Sequence, residues 1–362
     1  LFALGWLQTK KPEKGVPMAE RRFGRGRSGG QNPRREARAR AAEQHTDEVR
    51  TRLAKDIERS LAGVARYDGA PKPKKAPVAE KVEPAKADEA IEPLEADEAA
   101  VPREIEEAPS PELPAVSVVD MDSVAAVLEN GRGYAQFCDL ALLDFASFTN
   151  PGGGYIRGAW AQEEALCAES YLFNVLEQQR DWYQENRRRN INCELYRDRA
   201  LVVPAVRFER GKMHAYADVI VAAAPNARRA LEEYRVTDEQ LERAMRDRIR
   251  LVLAIVDDLG REKAVLGAFG CGVFGWDAER VAEMFRQELA SGDWGVKQVI
   301  FAVPQTRFDE NLAKFRHVLD NFPEAPAMSF AEAAAAAAKV REAEEASAAD
   351  DDEDEDDWRK YL

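Results

Sequence analysis

The sequence predicts a three-layer α/β/α sandwich in the central and C-terminal part of the chain, and two patterns support this. Short apolar runs that suit buried strands, such as Ala217–Ala224 (ADVIVAAA) and Val299–Val303, alternate with segments whose apolar residues recur at helical spacing. The longest such segment runs from Leu241 to Leu259, and Gly260 follows where a helix would end. Alternating strands and helices are typical of a sheet covered by helices on both faces.

The other elements follow the same alternation. Four further strands are expected at Val116–Val119, Leu140–Phe145, Ala200–Phe208 and Ala264–Phe269. Further helices are expected at residues 34–66, from Val124, from Gln162 through Leu176, from Val281 to Leu289 with Asp277 as its N-cap, from Leu312 to Phe322, and at Ala331–Ala338.

Composition divides the chain into five segments, although the net charge is −14 overall. Residues 1–30 are rich in Arg and Gly and are predicted to be a disordered basic tail, and residues 31–68 a helical extension. Residues 69–113 consist largely of Pro, Ala, Lys and Glu and read as a disordered linker or insertion. Residues 114–326 form the globular domain, and residues 327–362 an Ala-rich and acidic tail.

Several classes of function are disfavoured. The four cysteines form no CxxC pair and the three histidines lie far apart, so we expect no disulfide scaffold, no metal and no cofactor. The apolar opening Leu1–Leu7 is too short to span a membrane, and we expect a cytoplasmic monomer. Nucleic-acid contact through the basic tail is the less favoured alternative, because aromatic residues are scarce there.

The stretch Asn150–Glu164 (NPGGGYIRGAWAQEE) is the most informative in the chain. Gly152, Gly153 and Gly154 permit positive φ and close backbone approach, so their N–H groups could cradle an anion or a hydroxyl-rich ligand. A glycine turn followed by an ordinary acidic first helical turn is the structural alternative.

The spacing of these glycines from Gln162, Glu163 and Glu164 resembles the signature of poly(ADP-ribose) glycohydrolases of the compact bacterial type. Three blocks carry the resemblance, over roughly residues 115 to 325: Leu142–Leu176, Ala217–Asn226 (ADVIVAAAPN) and Gly267–Asp277 (GAFGCGVFGWD). The resemblance implies a macrodomain-like α/β fold in residues 114–326 and a substrate of ADP-ribose polymer on modified proteins. One departure is Asp144, which stands where the family often has Asn.

The second glycine-rich loop, Gly267–Gly275, is neither a phosphate-binding Walker loop nor a dinucleotide fingerprint. The resemblance implies that Gly270, Cys271, Gly272 and Val273 offer backbone donors to a diphosphate, and that Phe274 is a wall of the ribose pocket. Cys271 has no histidine nearby in sequence and is not expected to be a nucleophile. Trp276 is left open between core packing and ligand contact.

Two polar residues have two interpretations each. Asn226 is either a turn residue or a ligand contact. Asp122 either caps a helix or, as an early acid in macrodomains often does, reads the adenine amine.

The acids suggest a mechanism. Cleaving a ribose–ribose bond requires a proton on the leaving oxygen, and a partly desolvated carboxyl group can supply it. We assign Glu164 as general acid and then base, Glu163 to a ribose hydroxyl, and Gln162 to positioning the loop. Neighbours on a helix point about 100° apart, so the two glutamates are not expected to face one atom.

Two alternatives remain open at this point. The chain could be a non-catalytic reader of ADP-ribose, which would share the glycine loops but has no need for adjacent glutamates. It could also be a mono-ADP-ribosyl or O-acetyl-ADP-ribose hydrolase.

Overall fold

A seven-stranded mixed sheet forms the centre of the molecule. The computed structural model describes residues 32–72, 113–188, 192–292 and 294–342. The strands are β1 (Ala65–Asp68), β2 (Ala115–Val119), β3 (Leu140–Phe145), β4 (Arg199–Arg210), β5 (Met213–Ala222), β6 (Lys263–Leu266) and β7 (Gln298–Ala302). The helices are α1 (Pro33–Arg52), α2 (Ala54–Ala62), α3 (Ser123–Asn130), α4 (Gln162–Ala168), α5 (Leu172–Leu176), α6 (Arg180–Arg188), α7 (Ala227–Tyr234), α8 (Asp238–Asp258), α9 (Ala278–Ala290) and α10 (Asn311–Leu319), followed by helical residues 330–342.

The strand order is β1-β4-β5-β3-β6-β7-β2. Strands β5, β3, β6, β7 and β2 run parallel to one another, whereas β4 and β1 add an antiparallel edge. The carboxyl ends of the parallel strands therefore meet at one rim of the sheet, which is where open α/β sheets place their ligands.

Two apolar clusters lie on opposite faces of the sheet, as a three-layer sandwich requires. Alternate residues of β3 point to opposite sides, so Ala141 and Leu143 pack with α8, α9 and α10, while Leu140 and Leu142 pack with α1 to α6. This arrangement confirms the predicted α/β/α class.

Most predicted elements are found, and three differences are informative. The helix expected from Gln162 through Leu176 is broken into α4 and α5, because Ser170 bridges to Phe208 of β4 and its hydroxyl accepts from the Leu172 N–H at 3.0 Å. Residues 65–68, included in the helical extension, instead form β1. Helix α6 was not predicted, since its sequence is strongly polar apart from Trp182 and Tyr183.

The ends of the chain are only partly described. The basic tail 1–30, nearly all of the 69–113 segment and the acidic run Asp350–Asp357 lie outside the described residues. The Ala-rich stretch is helical as predicted, and it is docked at its start, where the Phe330 N–H donates to Glu279 Oε1 at 2.7 Å. No helix within residues 32–72, 113–188, 192–292 or 294–342 combines the length and apolarity needed to cross a bilayer.

A buried aspartate holds a bulge in the antiparallel part of the sheet. The register of β4 against β5 shifts between Val203 and Val206, and Ala205 adopts a left-handed conformation there, with φ 47°. Asp218 accepts from the Ala205 N–H at 2.8 Å and from Arg261 Nε at 2.7 Å, and it is buried. Both of its oxygens are therefore satisfied.

We expect Asp218→Ala to lower the free energy of unfolding by about 2 kcal/mol, because the bulge N–H and Arg261 lose their acceptor. Chemical denaturation measures this. A change within a few tenths of a kcal/mol, with an unchanged denaturant slope, would show that the bulge does not depend on the carboxylate.

Candidate active site

A cavity of about 680 Å³ opens at the rim where the parallel strands end. Its floor is formed by residues that follow β3, β6 and β7, namely Ala146, Ala268 and Val303. Its walls come from the start of α4 and from the second glycine-rich loop. The volume lies within the range of small-molecule sites.

The structure brings most of the predicted site residues to this cavity. The lining includes Glu163, Glu164, Gln162, Gly153, Gly270, Gly272, Val273, Phe274 and Asp122. Gly152, Gly154, Cys271 and Asn226 are not part of the lining. The two loops, distant in sequence, thus line one cavity.

The first glycine loop holds the glutamates rather than offering an open anion cradle. The Gly154 N–H donates to Glu164 Oε1 at 2.8 Å, and the Gly153 N–H donates to the Asn150 carbonyl at 3.1 Å. The Gly152 N–H stabilises the charged form of Glu163. These donors are engaged within the chain in this structure, and direct contact of this loop with a ligand stays a prediction.

At each of these three glycines, a Cβ would collide with a neighbouring side chain. A Cβ on Gly153 would lie 2.6 Å from Glu164 Oε1 and 2.7 Å from Glu163 Oε2. One oxygen of each carboxylate therefore lies beside the α-carbon of Gly153. The expectation that the two glutamates cannot face one atom is wrong. The long side chains bend toward the loop because its N–H groups supply their hydrogen bonds.

The two acids share a buried environment with a third carboxyl group. Glu163 and Glu164 are 4% and 7% exposed, and the Ser147 N–H donates to Glu163 Oε2 at 2.7 Å. Burial, followed by the charge of nearby Asp144, raises the pKa of Glu163 well above its usual value. The two glutamates therefore share their buried surroundings with Asp144, which the sequence marked only as a departure from the family.

Gln162 joins the start of α4 to the sheet. Its side-chain oxygen accepts from the Phe145 N–H at 2.9 Å, and its amide nitrogen donates to the Leu143 carbonyl at 2.9 Å and to Ser123 at 3.2 Å. These contacts fix the helix start that carries both glutamates.

The second loop offers free main-chain donors. Within the described part of the chain, the N–H groups of Gly272, Val273 and Phe274 donate no hydrogen bond, whereas the Cys271 N–H donates to Ala268 O at 3.1 Å. Consecutive unpaired N–H groups at a cavity wall suit an anionic ligand. Burial raises the pKa of the Cys271 thiol, which argues against a reactive thiolate there.

Asn226, Asp122 and Trp276, each open between a structural role and a ligand contact, all make contacts within the protein. Asn226 caps α7 by accepting from the Arg229 N–H at 3.2 Å. Asp122 lines the cavity, but it also caps α3 and accepts from Arg210 at 2.9 and 3.0 Å. Trp276 is buried, and its indole N–H donates to the Pro225 carbonyl at 2.8 Å. Trp276 is therefore core, and Asp122 is already committed to protein contacts.

Sequence reasoning missed part of the lining. Trp160 and the segment containing Thr306, Asp309 and Asn311 also face the cavity, and Trp160 is 63% exposed. The position of residues 304–311 just after a parallel strand could have indicated them. An aromatic residue two positions before the glutamine was the available signal for Trp160.

Helix α1 supports the segment between the glycines and the glutamates. Arg35 Nε donates to the Arg157 carbonyl at 3.0 Å, and Arg38 Nε donates to the Gly158 carbonyl at 2.9 Å. Gly158 has φ 68°, and a Cβ there would overlap the Arg35 carbonyl oxygen. The N-terminal extension is thus a structural part of the site.

We expect Gly158→Ala to lower the free energy of unfolding by about 3 kcal/mol, because a methyl group would collide with the backbone of α1. Gly211→Ala is the matched control, since Gly211 also has positive φ but nothing within 4 Å of its missing Cβ. The control should cost roughly 1 kcal/mol from backbone strain alone. Equal losses in urea unfolding would show that the α1 contact contributes nothing.

Within the described ranges, no group of three or more His, Cys, Asp or Glu residues has the arrangement to hold a metal ion.

Comparison with known proteins agrees with this site. Residues 36–211 match the family model for the microbial-type PARG (poly(ADP-ribose) glycohydrolase) catalytic domain. That match begins within α1, the helix that supports the loop. No curated protein matches the chain significantly.

Solved structures give the same family. Poly(ADP-ribose) glycohydrolase from Deinococcus radiodurans in complex with ADP-ribose is 32% identical, with a TM-score of 0.51 over 57% of this chain and 84% of that one. The enzyme from Thermomonospora curvata bound to the inhibitor ADP-HPD is 26% identical, with a TM-score of 0.58 over 77% of this chain and 98% of that one. A further Thermomonospora curvata structure is 27% identical with a TM-score of 0.57, over the same shares of both chains. The chain belongs to the microbial-type poly(ADP-ribose) glycohydrolase family.

Proposed function

We propose that this protein hydrolyses the ribose–ribose O-glycosidic bonds of poly(ADP-ribose) and releases ADP-ribose. The observation that carries the proposal is the pair of buried carboxyl groups, Glu163 and Glu164, in the wall of a cavity that also presents unpaired main-chain donors. A glycosidic bond needs a proton donor in a dry site, and a nucleotide diphosphate needs N–H groups.

The terminal ADP-ribose unit would lie along the second loop. The N–H groups of Gly272, Val273 and Phe274 would bind its diphosphate, and the Phe274 ring would form a wall of the ribose pocket. Phe274 is partly exposed and its ring meets Tyr196 edge-on at a centroid distance of 6.2 Å, which supports a fixed orientation.

Glu164 is our candidate for the general acid. One of its oxygens accepts from a main-chain donor, the Gly154 N–H, and the other, Oε2, is buried without a partner among the described residues. Glu163 is held by the N–H groups of both Ser147 and Gly152. Glu164 thus receives one main-chain donor and Glu163 two, which leaves Glu164 the less constrained of the two carboxyl groups.

In this scheme the Glu164 proton passes to the leaving ribose oxygen as the C–O bond breaks and positive charge develops on the ribose. Glu164 then takes a proton from the incoming water, whose oxygen bonds to the anomeric carbon. Glu163 would hold a ribose hydroxyl. Polymer chains on modified proteins would be the substrate.

We also propose that the protein acts as a monomer in the cytoplasm. All four cysteines are unpaired, which suits a reducing compartment.

The proposed activity predicts that the purified protein releases ADP-ribose from automodified polymer. Resolving the products by chromatography measures it, and mono-ADP-ribosylated protein and O-acetyl-ADP-ribose serve as comparison substrates. Calorimetric binding of ADP-ribose without turnover of any of these would instead identify a reader.

Glu164→Gln should reduce turnover by at least ~10²-fold while leaving ADP-ribose affinity within severalfold of wild type, because it removes the transferable proton and little else. Glu163→Gln should weaken both affinity and rate, since its partner would be present throughout the reaction. If Glu164→Gln turns over normally and Glu163→Gln is inactive, the two roles are exchanged.

The second loop offers a matched pair of variants. Nothing lies within 4 Å of a Cβ on Gly272, so Gly272→Val should fold normally and weaken ADP-ribose binding by about tenfold or more, by obstructing the donors. A Cβ on Gly270 would instead lie 2.8 Å from Trp276 and 2.9 Å from Ala224, and φ there is 79°. Gly270→Ala should therefore lose stability first. Wild-type affinity in Gly272→Val would contradict a diphosphate site on this loop.

A further inference from the structure

Asp144 is the most deeply buried acid beside the cavity and has no described role. It lies on the central strand β3, is 0% exposed, and pairs in register with Val221 of β5. Neither of its carboxylate oxygens has a hydrogen-bond partner among the described residues. It does not line the cavity, so it does not touch a ligand there. A buried, unpartnered carboxylate would be costly unless it is neutral.

Titratable side chains of α4 and α6 lie near Asp144. Glu163, Glu164 and Cys167 face it from α4, and Tyr183 faces the same cluster from α6. Across residues 32–72, 113–188, 192–292 and 294–342, no cationic side chain forms an ion pair with any of the three acids. Burial, and then the charge of Glu164, raises the pKa of Asp144 well above its usual value.

The three acids differ in what stabilises their charge. Glu163 accepts from the Ser147 N–H and Glu164 from the Gly154 N–H, whereas Asp144 accepts from no donor in the described structure. Three carboxylates in one buried cluster cannot all be charged at once, and the group whose anion is least stabilised is the first to hold a proton. That group is Asp144.

A protonated Asp144 would be a hydrogen-bond donor within a cluster that contains unpartnered buried acceptors. Glu163 Oε1 and Glu164 Oε2 are both buried and receive no donor from the described residues. A carboxyl O–H beside them would satisfy one of these oxygens and fix the orientation of the pair.

We propose that Asp144 is a positioning residue that carries a proton in the working protein and donates a hydrogen bond to the Glu163–Glu164 pair from beneath the cavity floor. It acts as a neutral donor, which is a role an asparagine amide can also fill. The inference extends the proposed function, because it concerns the same two glutamates. Its first test does not depend on that function.

Protonation of Asp144 sets the direction in which the free energy of unfolding changes with pH. Its folded-state pKa is raised, so the native state binds the proton more tightly than the unfolded chain, in which Asp titrates near ~3.9. The free energy of unfolding therefore falls as pH rises above that value and continues to fall until the folded-state pKa. Asp144→Asn removes this loss.

The first experiment measures urea unfolding of wild type and Asp144→Asn from pH 5 to pH 9. Asp144→Asn should be the more stable protein at neutral pH, and the ratio of the two folding equilibrium constants should grow by up to ~10-fold per pH unit, as one linked proton requires. Asp218→Asn is the matched control, because that buried aspartate has partners for both oxygens and its replacement should destabilise.

Infrared spectroscopy gives a second, substrate-free readout. At neutral pH the wild-type spectrum should contain a protonated-carboxyl band that Asp144→Asn lacks. Tyr183→Phe removes the other buried hydroxyl beside the cluster, which also has no partner among the described residues, and should leave that band unchanged. Equal pH dependence of stability together with identical carboxyl bands would overturn the proposal.

Turnover tests the positioning role itself. Asp144→Asn should keep polymer hydrolysis within about threefold of wild type, whereas Asp144→Leu should lose about 10²-fold in kcat with little change in ADP-ribose affinity, because the glutamates lose their donor. If Asp144→Asn is as inactive as Asp144→Leu, or if folded Asp144→Leu keeps full activity, Asp144 does not position the pair. An inactive wild type would refute the proposed function and leave the stability and infrared results standing.

Discussion

The architecture of the site depends on keeping three carboxyl groups out of water behind one glycine turn. Burying a charge is unfavourable unless it is hydrogen-bonded, and the turn supplies such bonds to Glu163 and Glu164 through the N–H groups of Gly152 and Gly154. Glu163 and Glu164 both press on the bare α-carbon of Gly153, so the glycines are needed for the acids as much as for any ligand. A side chain at this position would displace the pair from the cavity wall.

The same requirement explains why distant parts of the chain converge here. Gln162 joins α4 to the main chain of β3, and the arginines of α1 hold the connecting segment by its carbonyl groups. The loop between the glycines and the glutamates has little regular structure of its own beyond a short turn at Tyr155–Arg157. Its shape is therefore imposed by elements on either side, including a helix that lies over a hundred residues earlier.

Much of the fold could be predicted from the sequence, and the elements that were missed depend on contacts with strands distant in the chain. Strand β3 was predicted with its observed bounds because it is buried on both faces and uninterrupted by polar residues apart from Asp144. The break between α4 and α5 was not predicted, because it depends on a bridge from Ser170 to a strand about forty residues later. Local periodicity carries no information about such a partner. Strand β1 was missed for the same reason, since four residues become a strand only by pairing with β4.

At the site, the sequence identified the residues but not their hydrogen bonding. The sequence singled out both glycine loops and both glutamates, and it expected free N–H groups in both loops, whereas the first loop uses its N–H groups within the chain. Which donors remain free depends on where the glutamate side chains turn, and that is decided by packing around Gly153. Asp144 illustrates the point further. An aspartate in place of an amide looks like a change of charge in the sequence, yet complete burial without a partner favours the neutral acid. Burial thus makes the two residue types nearly equivalent as donors, and the difference appears in the pH dependence of stability rather than in the shape of the site.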